Sequence, residues 1–168
     1  LETSCICGTY RDAPLCSPDE KARKQAVEYV HDISKMAADF GAKAVVVVPR
    51  SEYTTQTAPP ELTLEKEWTY AVESLRQSGK LAADLGVKLA VEPLPYTSVR
   101  LINRVDQAVR LVNEVGLDNV GIVPDTNAMH IEEVDSAYAI RMAGEKIIHF
   151  HFSDSNRRAV GTGNIDFK

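Results

Sequence analysis

The sequence predicts an α/β fold of about five parallel strands alternating with four helices, which we interpret as part of a (β/α)8 barrel. Three observations support this prediction. Short apolar runs alternate with longer segments of helical periodicity, no strand-turn-strand hairpin signal occurs, and polar residues follow several of the apolar runs directly. Strands that alternate with helices pair in parallel through right-handed crossovers. Barrel enzymes keep their chemistry at the carboxyl ends of such strands.

The predicted strands are short and mostly apolar. Four consecutive valines follow Ala44, which is the composition of a strand buried on both faces of a sheet. Two later strands end in a carboxylate, and the last carries two histidines. In chain order, the predicted strands span residues 4–8, 44–48, 87–92, 119–124 and 146–153.

The predicted helices carry start and stop signals. Ser17 supplies an N-cap, Pro18 stands at the first helical position and Glu20 completes a capping box. Gly41 ends this first helix, and a glycine follows each of the other three. In chain order, the predicted helices span about residues 17–40, 62–85, 103–115 and 131–143.

Two architectures fit this alternation, a doubly wound open sheet and a (β/α)8 barrel. The phosphate-binding G-x-x-x-x-G-K-[ST] motif of the first is missing. A barrel needs eight strands and about 250 residues, whereas this chain of 168 residues supplies five predicted strands. We therefore expect residues 1–168 to be a single domain, an internal part of a barrel that lacks the first and last strands.

Composition limits the classes of partner and the cellular location that we expect for this chain. The net charge of −5 argues against a nucleic-acid partner, which would favour a basic face. The longest apolar run is far too short to span a membrane, so we expect no membrane partner. The three cysteines, Cys5, Cys7 and Cys16, lack the spacing of a zinc site. We interpret them as reduced core thiols, which favours a cytoplasmic location.

Three residues stand where apolar runs end: Glu92, Asp125 and His151. If their strands lie side by side and parallel, the three side chains converge. Two carboxylates and an imidazole suit a divalent metal ion such as Mn²⁺, Mg²⁺, Co²⁺ or Zn²⁺. The alternatives are a solvated strand-end carboxylate for Glu92 and a helix N-cap or turn residue for Asp125.

Other polar residues near these positions are candidates for secondary roles. His149 lies two residues before His151 on the same strand face, and we expect it to be a hydrogen-bonded core residue. His130 follows Asp125 closely and is a candidate for substrate binding, with a role at the start of a helix as the alternative. Arg157 follows His151 by six residues and could hold a hydroxyl, carboxylate or phosphate of a substrate.

Three segments resemble the xylose isomerase-like TIM barrel superfamily of sugar phosphate isomerases and epimerases. They are LAVEPL, INRVDQAVRLVNEVGLDNVGIVPDTNAMHIEE and HFHFSDSNRRAVGTGNIDF. The nearest branch is the ketose 3-epimerases of the tagatose and psicose type. The resemblance implies a metal-dependent sugar (phosphate) isomerase or epimerase acting on a small sugar or keto-polyol.

The resemblance also implies roles for the candidate residues. Glu92, Asp125 and His151 would bind a divalent metal ion, Mn²⁺ first among the candidates, and Arg157 would contact substrate. Glu92 would also remove the proton α to the carbonyl, while the metal stabilises an enediolate. The family's fourth ligand, a second acid/base Glu, would fall beyond Lys168, so we expect the chain as given to be catalytically incomplete.

Two departures from the ketose 3-epimerase pattern keep alternatives open. Ser98 stands where that group has a substrate-binding Glu, and Ala128 stands where it has a His. The alternatives are a related lyase, such as an inosose or dehydroshikimate dehydratase, an endonuclease IV-like DNA repair nuclease, or a fragment without catalysis. Unpaired strand edges also predict self-association.

Overall fold

A computed structural model describes residues 2–8 and 14–167 of the chain. Its sheet contains four parallel strands in the sequential order β1-β2-β3-β4. A doubly wound sheet reverses direction partway through its strand order, whereas a barrel adds each strand at the same edge. The order of the described strands is therefore that of a barrel. The strands are β1 Cys5–Cys7, β2 Ala44–Val47, β3 Lys88–Val91 and β4 Val120–Ile122.

Helices connect the strands and cover one face of the sheet. Gly116, which has φ 69°, ends the third helix as predicted. Among the helices in the described ranges, none is both long enough and apolar enough to cross a membrane. The helices are α1 Glu20–Asp39, α2 Leu64–Ala83, α3 Val105–Val115, α4 Thr126–Glu132 and α5 Ser136–Ala143, followed by a 3₁₀ turn at Gly144–Lys146.

The start of α1 differs from the prediction. Asp19, not Ser17, is the N-cap, and its side chain accepts a hydrogen bond from the backbone N–H of Lys21. Ser17 instead accepts a hydrogen bond from the backbone N–H of Asp19 and donates one to Glu52. Both residues are competent caps, and the contact with Glu52, which no local pattern reveals, ties Ser17 to the loop after β2.

The predicted helix at residues 131–143 is two helices. Asp125 caps α4 five residues earlier than expected, because its side chain accepts hydrogen bonds from the N–H groups of Asn127 and Ala128. Asp135 then caps α5 through the N–H of Tyr138. A second N-cap inside the apolar pattern begins a new helix, so the described ranges contain five α-helices rather than the predicted four.

The two faces of the sheet bury different side chains. The outer face carries Val45, Val47 and Leu89, which pack in the large core with the helices. The inner face carries Val46 and Ala90, together with other small or short apolar residues, in a much smaller core. Successive side chains of a strand point to opposite faces, so residues just beyond the strand ends continue this alternation.

The predicted fifth strand at residues 146–153 is not continuous. This segment runs parallel to β4 but meets it only at two isolated bridges, Ile122 with Ile147 and Asp125 with His151. The described sheet therefore has four strands rather than five. The second bridge still holds His151 beside Asp125.

The interruption has a local cause in side-chain alternation. Ile147 packs in the large outer core, Ile148 packs on the inner face, and the next residue, His149, also makes its contact on the inner face. Two consecutive inner residues break the period of two that a strand needs. Gly121 of β4 permits this crossing, because a Cβ there would lie 2.6 Å from the carbonyl oxygen of Lys146.

Candidate metal centre

Glu92, Asp125 and His151 meet at the carboxyl end of the sheet. Glu92 follows β3 directly, Asp125 follows β4 by three residues, and His151 lies at the second bridge. The Nδ1 atom of His151 lies 2.8 Å from Oε1 of Glu92. One ligand atom from each of the three residues lies within 4.8 Å of the others. Side-by-side parallel strands produce this convergence, because their carboxyl ends share one edge.

Backbone hydrogen bonds fix the positions of Glu92 and His151. The N–H of Glu92 donates to Val47 of β2 at 3.0 Å, and the N–H of His151 donates to Pro124 at 2.9 Å. Glu92 lies two residues after Ala90, so the alternation of the strand places both on the inner face of the sheet. The site is therefore built on the sheet and its adjoining segment rather than on a free loop.

The two carboxylates are buried near each other. Glu92 and Asp125 are each 5% exposed. Desolvation raises the pKa of Glu92, the hydrogen bond with His151 opposes that rise, and the nearby charge of Asp125 adds to it. A cation between these groups would relieve the cost of burying two like charges. The hard-to-borderline donor set of two carboxylates and one imidazole fits a divalent ion.

Asp125 has two structural roles at once. Its Oδ1 atom accepts hydrogen bonds from the N–H groups of Asn127 at 2.7 Å and Ala128 at 3.2 Å. Its Oδ2 atom lies 3.1 Å from Nη1 of Arg157. Asp125 is thus the N-cap of α4 and also a member of the three-residue cluster, so the two sequence interpretations are compatible.

A loop held together by hydrogen bonds to Asp154 positions Arg157 at the site. Buried Asp154 accepts hydrogen bonds from the N–H groups of Ser155, Gly161 and Ile165. Desolvation alone would raise the pKa of Asp154, but these backbone donors lower it to about 2. The backbone of Arg157 itself is left-handed, with φ 61°. The loop therefore accepts local strain while the guanidinium reaches Asp125.

A cavity of 640 Å³ opens above the cluster. Its lining combines the carboxylates and imidazole with two guanidinium groups and two hydroxyl side chains. The lining residues are Cys7, Val48, Arg50, Glu92, Leu94, Thr97, Ser98, Asp125, His151 and Arg157.

His130 is not brought to this cavity. The buried face of α4 carries Thr126, Asn127, Ala128 and Met129, whereas the side chain of His130 is exposed. The described geometry therefore gives no support for His130 as a substrate contact, because the helix begins at Thr126 and turns residue 130 outward. The alternative prediction, a role for His130 at the start of a helix, is wrong, since His130 lies near the end of α4.

Sequence reasoning missed Arg50 as a lining residue. Arg50 follows β2 by three residues, the spacing by which Asp125 follows β4, so the same strand-end rule could have found it. Thr97 lies in the loop after β3 and gave no separate signal. Ser98, singled out only as a departure from a family pattern, also lines the cavity.

A second polar group occupies the inner face. The Sγ atom of Cys5 lies 3.1 Å from Nε2 of His149, and both residues are half-buried. Burial lowers the pKa of His149 and raises that of Cys5. The predicted hydrogen bond of His149 is present, but the residue is half-buried and not part of the closed core as predicted. Cys16 is buried as expected, but Cys7 is exposed, so its prediction as a core thiol was wrong.

Comparison with known proteins identifies relatives over the whole chain. The family described as xylose isomerase-like TIM barrel matches residues 1–168. An L-ribulose 3-epimerase of Mesorhizobium japonicum is 30% identical over 156 residues, which are 93% of this chain and 52% of that protein. A D-psicose 3-epimerase of Ruminiclostridium cellulolyticum is 32% identical over 160 residues, which are 94% of this chain and 54% of that protein.

Solved structures agree with the barrel interpretation. The crystal structure of apo 3-keto-D-glucoside 4-epimerase from E. coli superposes with a TM-score of 0.90 at 28% identity. The match covers 99% of this chain and 64% of that one. The chain spans about half the length of the two curated epimerases above. The predicted partial TIM barrel is therefore confirmed.

Proposed function

The chain belongs to the xylose isomerase-like TIM barrel family, and we propose that it is the metal-binding part of an enzyme that epimerises or isomerises a ketose. Its relatives are sugar epimerases and isomerases. The proposed reaction begins with removal of the proton on the carbon next to the ketone. Return of a proton to the same carbon from the opposite face gives the epimer, whereas its delivery to the former carbonyl carbon gives the isomer.

One observation carries the proposal: two buried carboxylates and an imidazole share one point at the carboxyl end of the sheet. Oε1 of Glu92 and Nδ1 of His151 are 2.8 Å apart, and Asp125 lies within the same cluster. Glu92, Asp125 and His151 would hold a divalent cation there. Such an ion supplies Lewis-acid polarisation of the substrate's carbonyl and hydroxyl oxygens.

Glu92 is the proposed base. Its carboxylate lines the cavity, so a substrate seated there can bring an acidic C–H to it. In the cation-free protein, desolvation raises the pKa of this group, and a carboxylate of raised pKa is a stronger proton acceptor than a solvated one. The hydrogen bond with His151 holds the carboxylate in one orientation.

Arg157 is the proposed substrate contact. Its guanidinium lies beside Asp125 and lines the cavity, yet the side chain is 59% exposed. An exposed, always-charged donor at the cavity edge suits a hydroxyl or an anionic group of a substrate. The left-handed backbone of Arg157 fixes where the side chain leaves the loop.

Hydrogen–deuterium exchange tests the proposal without requiring a complete epimerisation. In D₂O with Mn²⁺, the protein should exchange the proton at carbon 3 of D-psicose or D-fructose, since one base is enough for exchange. Nuclear magnetic resonance would follow the signal. Glu92→Gln should abolish exchange, whereas the exposed control Glu73→Gln should retain it. Exchange that persists in Glu92→Gln, or none with any ketose tested, contradicts the proposal.

Metal identity, assembly and location complete the proposal. We favour Mn²⁺ because the ligand set is mainly oxygen.

We also propose self-association, since large apolar side chains such as Phe152 and Val134 are exposed, at 66% and 107% respectively. A monomer by light scattering at high protein concentration would contradict it. The thiols of Cys5 and Cys16 suit the reducing cytoplasm, and localisation of a fluorescent fusion tests that placement.

A further inference from the structure

The inner face holds a second set of metal-ligating side chains, next to the carboxylate cluster. Cys5 of β1, His149 and His151 each offer one ligand atom, and these atoms lie within 4.8 Å of one another. Sγ of Cys5 and Nε2 of His149 are 3.1 Å apart. The rings of His149 and His151 stand edge to face, with centroids 5.3 Å apart.

This set differs from the carboxylate cluster in its chemistry. A thiolate and two imidazoles are soft-to-borderline ligands, which select Zn²⁺ and similar ions over Mn²⁺ or Mg²⁺. Three protein ligands leave a fourth tetrahedral position open for water. His151 belongs to both sets, because its Nδ1 atom also contacts Glu92.

The distances are close to those that a metal needs. Zn–S bonds of about 2.3 Å and Zn–N bonds of about 2.0–2.1 Å at a tetrahedral angle put sulfur and nitrogen about 3.5 Å apart. The observed separation of 3.1 Å between Cys5 and His149 is somewhat shorter. A widening of about 0.4 Å would therefore admit the ion. Both side chains are only half-buried, so this adjustment does not require repacking of a closed core.

We propose that Cys5, His149 and His151 form a second cation site, selective for a thiophilic divalent ion such as Zn²⁺ or Co²⁺. Binding forms one metal–sulfur and two metal–nitrogen bonds and releases the thiol proton to solvent, with no change of oxidation state. Because His151 is shared, an ion at this site draws the imidazole away from Glu92 and Asp125. The inference is independent of the proposed reaction.

Cobalt spectroscopy tests this site directly. Titration of Co²⁺ into the metal-free protein should produce a saturable thiolate-to-cobalt charge-transfer band in the near ultraviolet. Cys5→Ser should remove the band, and the control Cys7→Ser, two residues along the same strand, should keep it. His149→Gln should lower the Co²⁺ affinity measured from the band by about tenfold or more, since loss of even an outer-shell partner of a metal costs about 10–100-fold. Circular dichroism would establish that each variant is folded.

Three results would overturn the proposal. Saturable Co²⁺ binding without the charge-transfer band would exclude Cys5 as a ligand. A band that survives in folded Cys5→Ser would assign the sulfur to another cysteine. A band that disappears in Glu92→Gln would make Cys5 part of the carboxylate cluster rather than of a separate site, whereas its retention there supports the proposal.

Discussion

Glu67 is the most informative residue for the stability of the cavity walls. Its side chain, in the first turn of α2, is fully buried. It accepts a hydrogen bond from the hydroxyl of Ser51 and forms an ion pair with Arg100, whose Nε atom is 3.0 Å from Oε2. Ser51 and Arg100 belong to the loops after β2 and β3, and residues next to them line the cavity. The carboxylate of Glu67 therefore joins the two loops.

The cost of Glu67→Gln follows from this burial. Arg100 has a side chain only 11% exposed, so it keeps a nearly buried charge without a counter-ion. Breaking a buried ion pair by removing one partner costs about 3–5 kcal/mol. Gln keeps the volume and an acceptor for Ser51, so we expect the lower end, about 3 kcal/mol. For a chain of this size, that corresponds to a fall in Tm of about 6–12 °C.

Urea denaturation followed by circular dichroism measures this change, with Tm as a second readout. Glu73→Gln, at an exposed position of the same helix, should change the free energy of unfolding by no more than about 0.5 kcal/mol. The double variant Glu67→Leu/Arg100→Met should be more stable than Glu67→Leu alone, because it leaves no unpaired charge. A loss below about 1 kcal/mol in Glu67→Gln would refute the reasoning that the pair is buried and coupled.

Three further predictions concern the site and the segment beside it. Desolvation raises the pKa of Glu92 in the folded state, so its contribution to stability is full below the pKa of the unfolded chain and is lost as pH rises through the raised value. Urea midpoints measured in EDTA should therefore fall as pH rises, relative to those of Glu92→Gln. Parallel pH curves for the two proteins would count against this prediction. Gly121→Ala should destabilise the protein by about 1–3 kcal/mol, because the new Cβ would meet the carbonyl of Lys146; an unchanged urea midpoint would show that the segment can move aside. Arg157→Gly should keep the fold, since φ 61° suits glycine. It should raise the ketose concentration that half-saturates hydrogen–deuterium exchange while retaining Mn²⁺ affinity; an unchanged half-saturating concentration would remove Arg157 from the substrate contacts.

The sequence was sufficient to predict the positions of Glu92 and Asp125 at strand ends. Each follows a short apolar run, and strands that alternate with helices pair in parallel, which brings their carboxyl ends to one edge of the sheet. Local pattern also identified three of the glycines that end helices, Gly41, Gly86 and Gly116, each with φ 69°. These features depend on a few neighbouring residues, so a single sequence contains them.

Features that depend on distant contacts were not predictable. The apolar alternation of residues 146–153 reads as a strand, but its course is set by Gly121 on the neighbouring strand. The contact between Cys5 and His149 joins residues 144 positions apart.

Calorimetric titration of Mn²⁺ into the metal-free protein tests the central claim, that Glu92, Asp125 and His151 form a divalent-cation site. We expect saturable binding that both Glu92→Gln and His151→Ala weaken by about tenfold or more, since loss of even an outer-shell partner costs about 10–100-fold, while Glu73→Gln binds like the wild type. Absence of binding, or equal affinity in all four proteins, would contradict it.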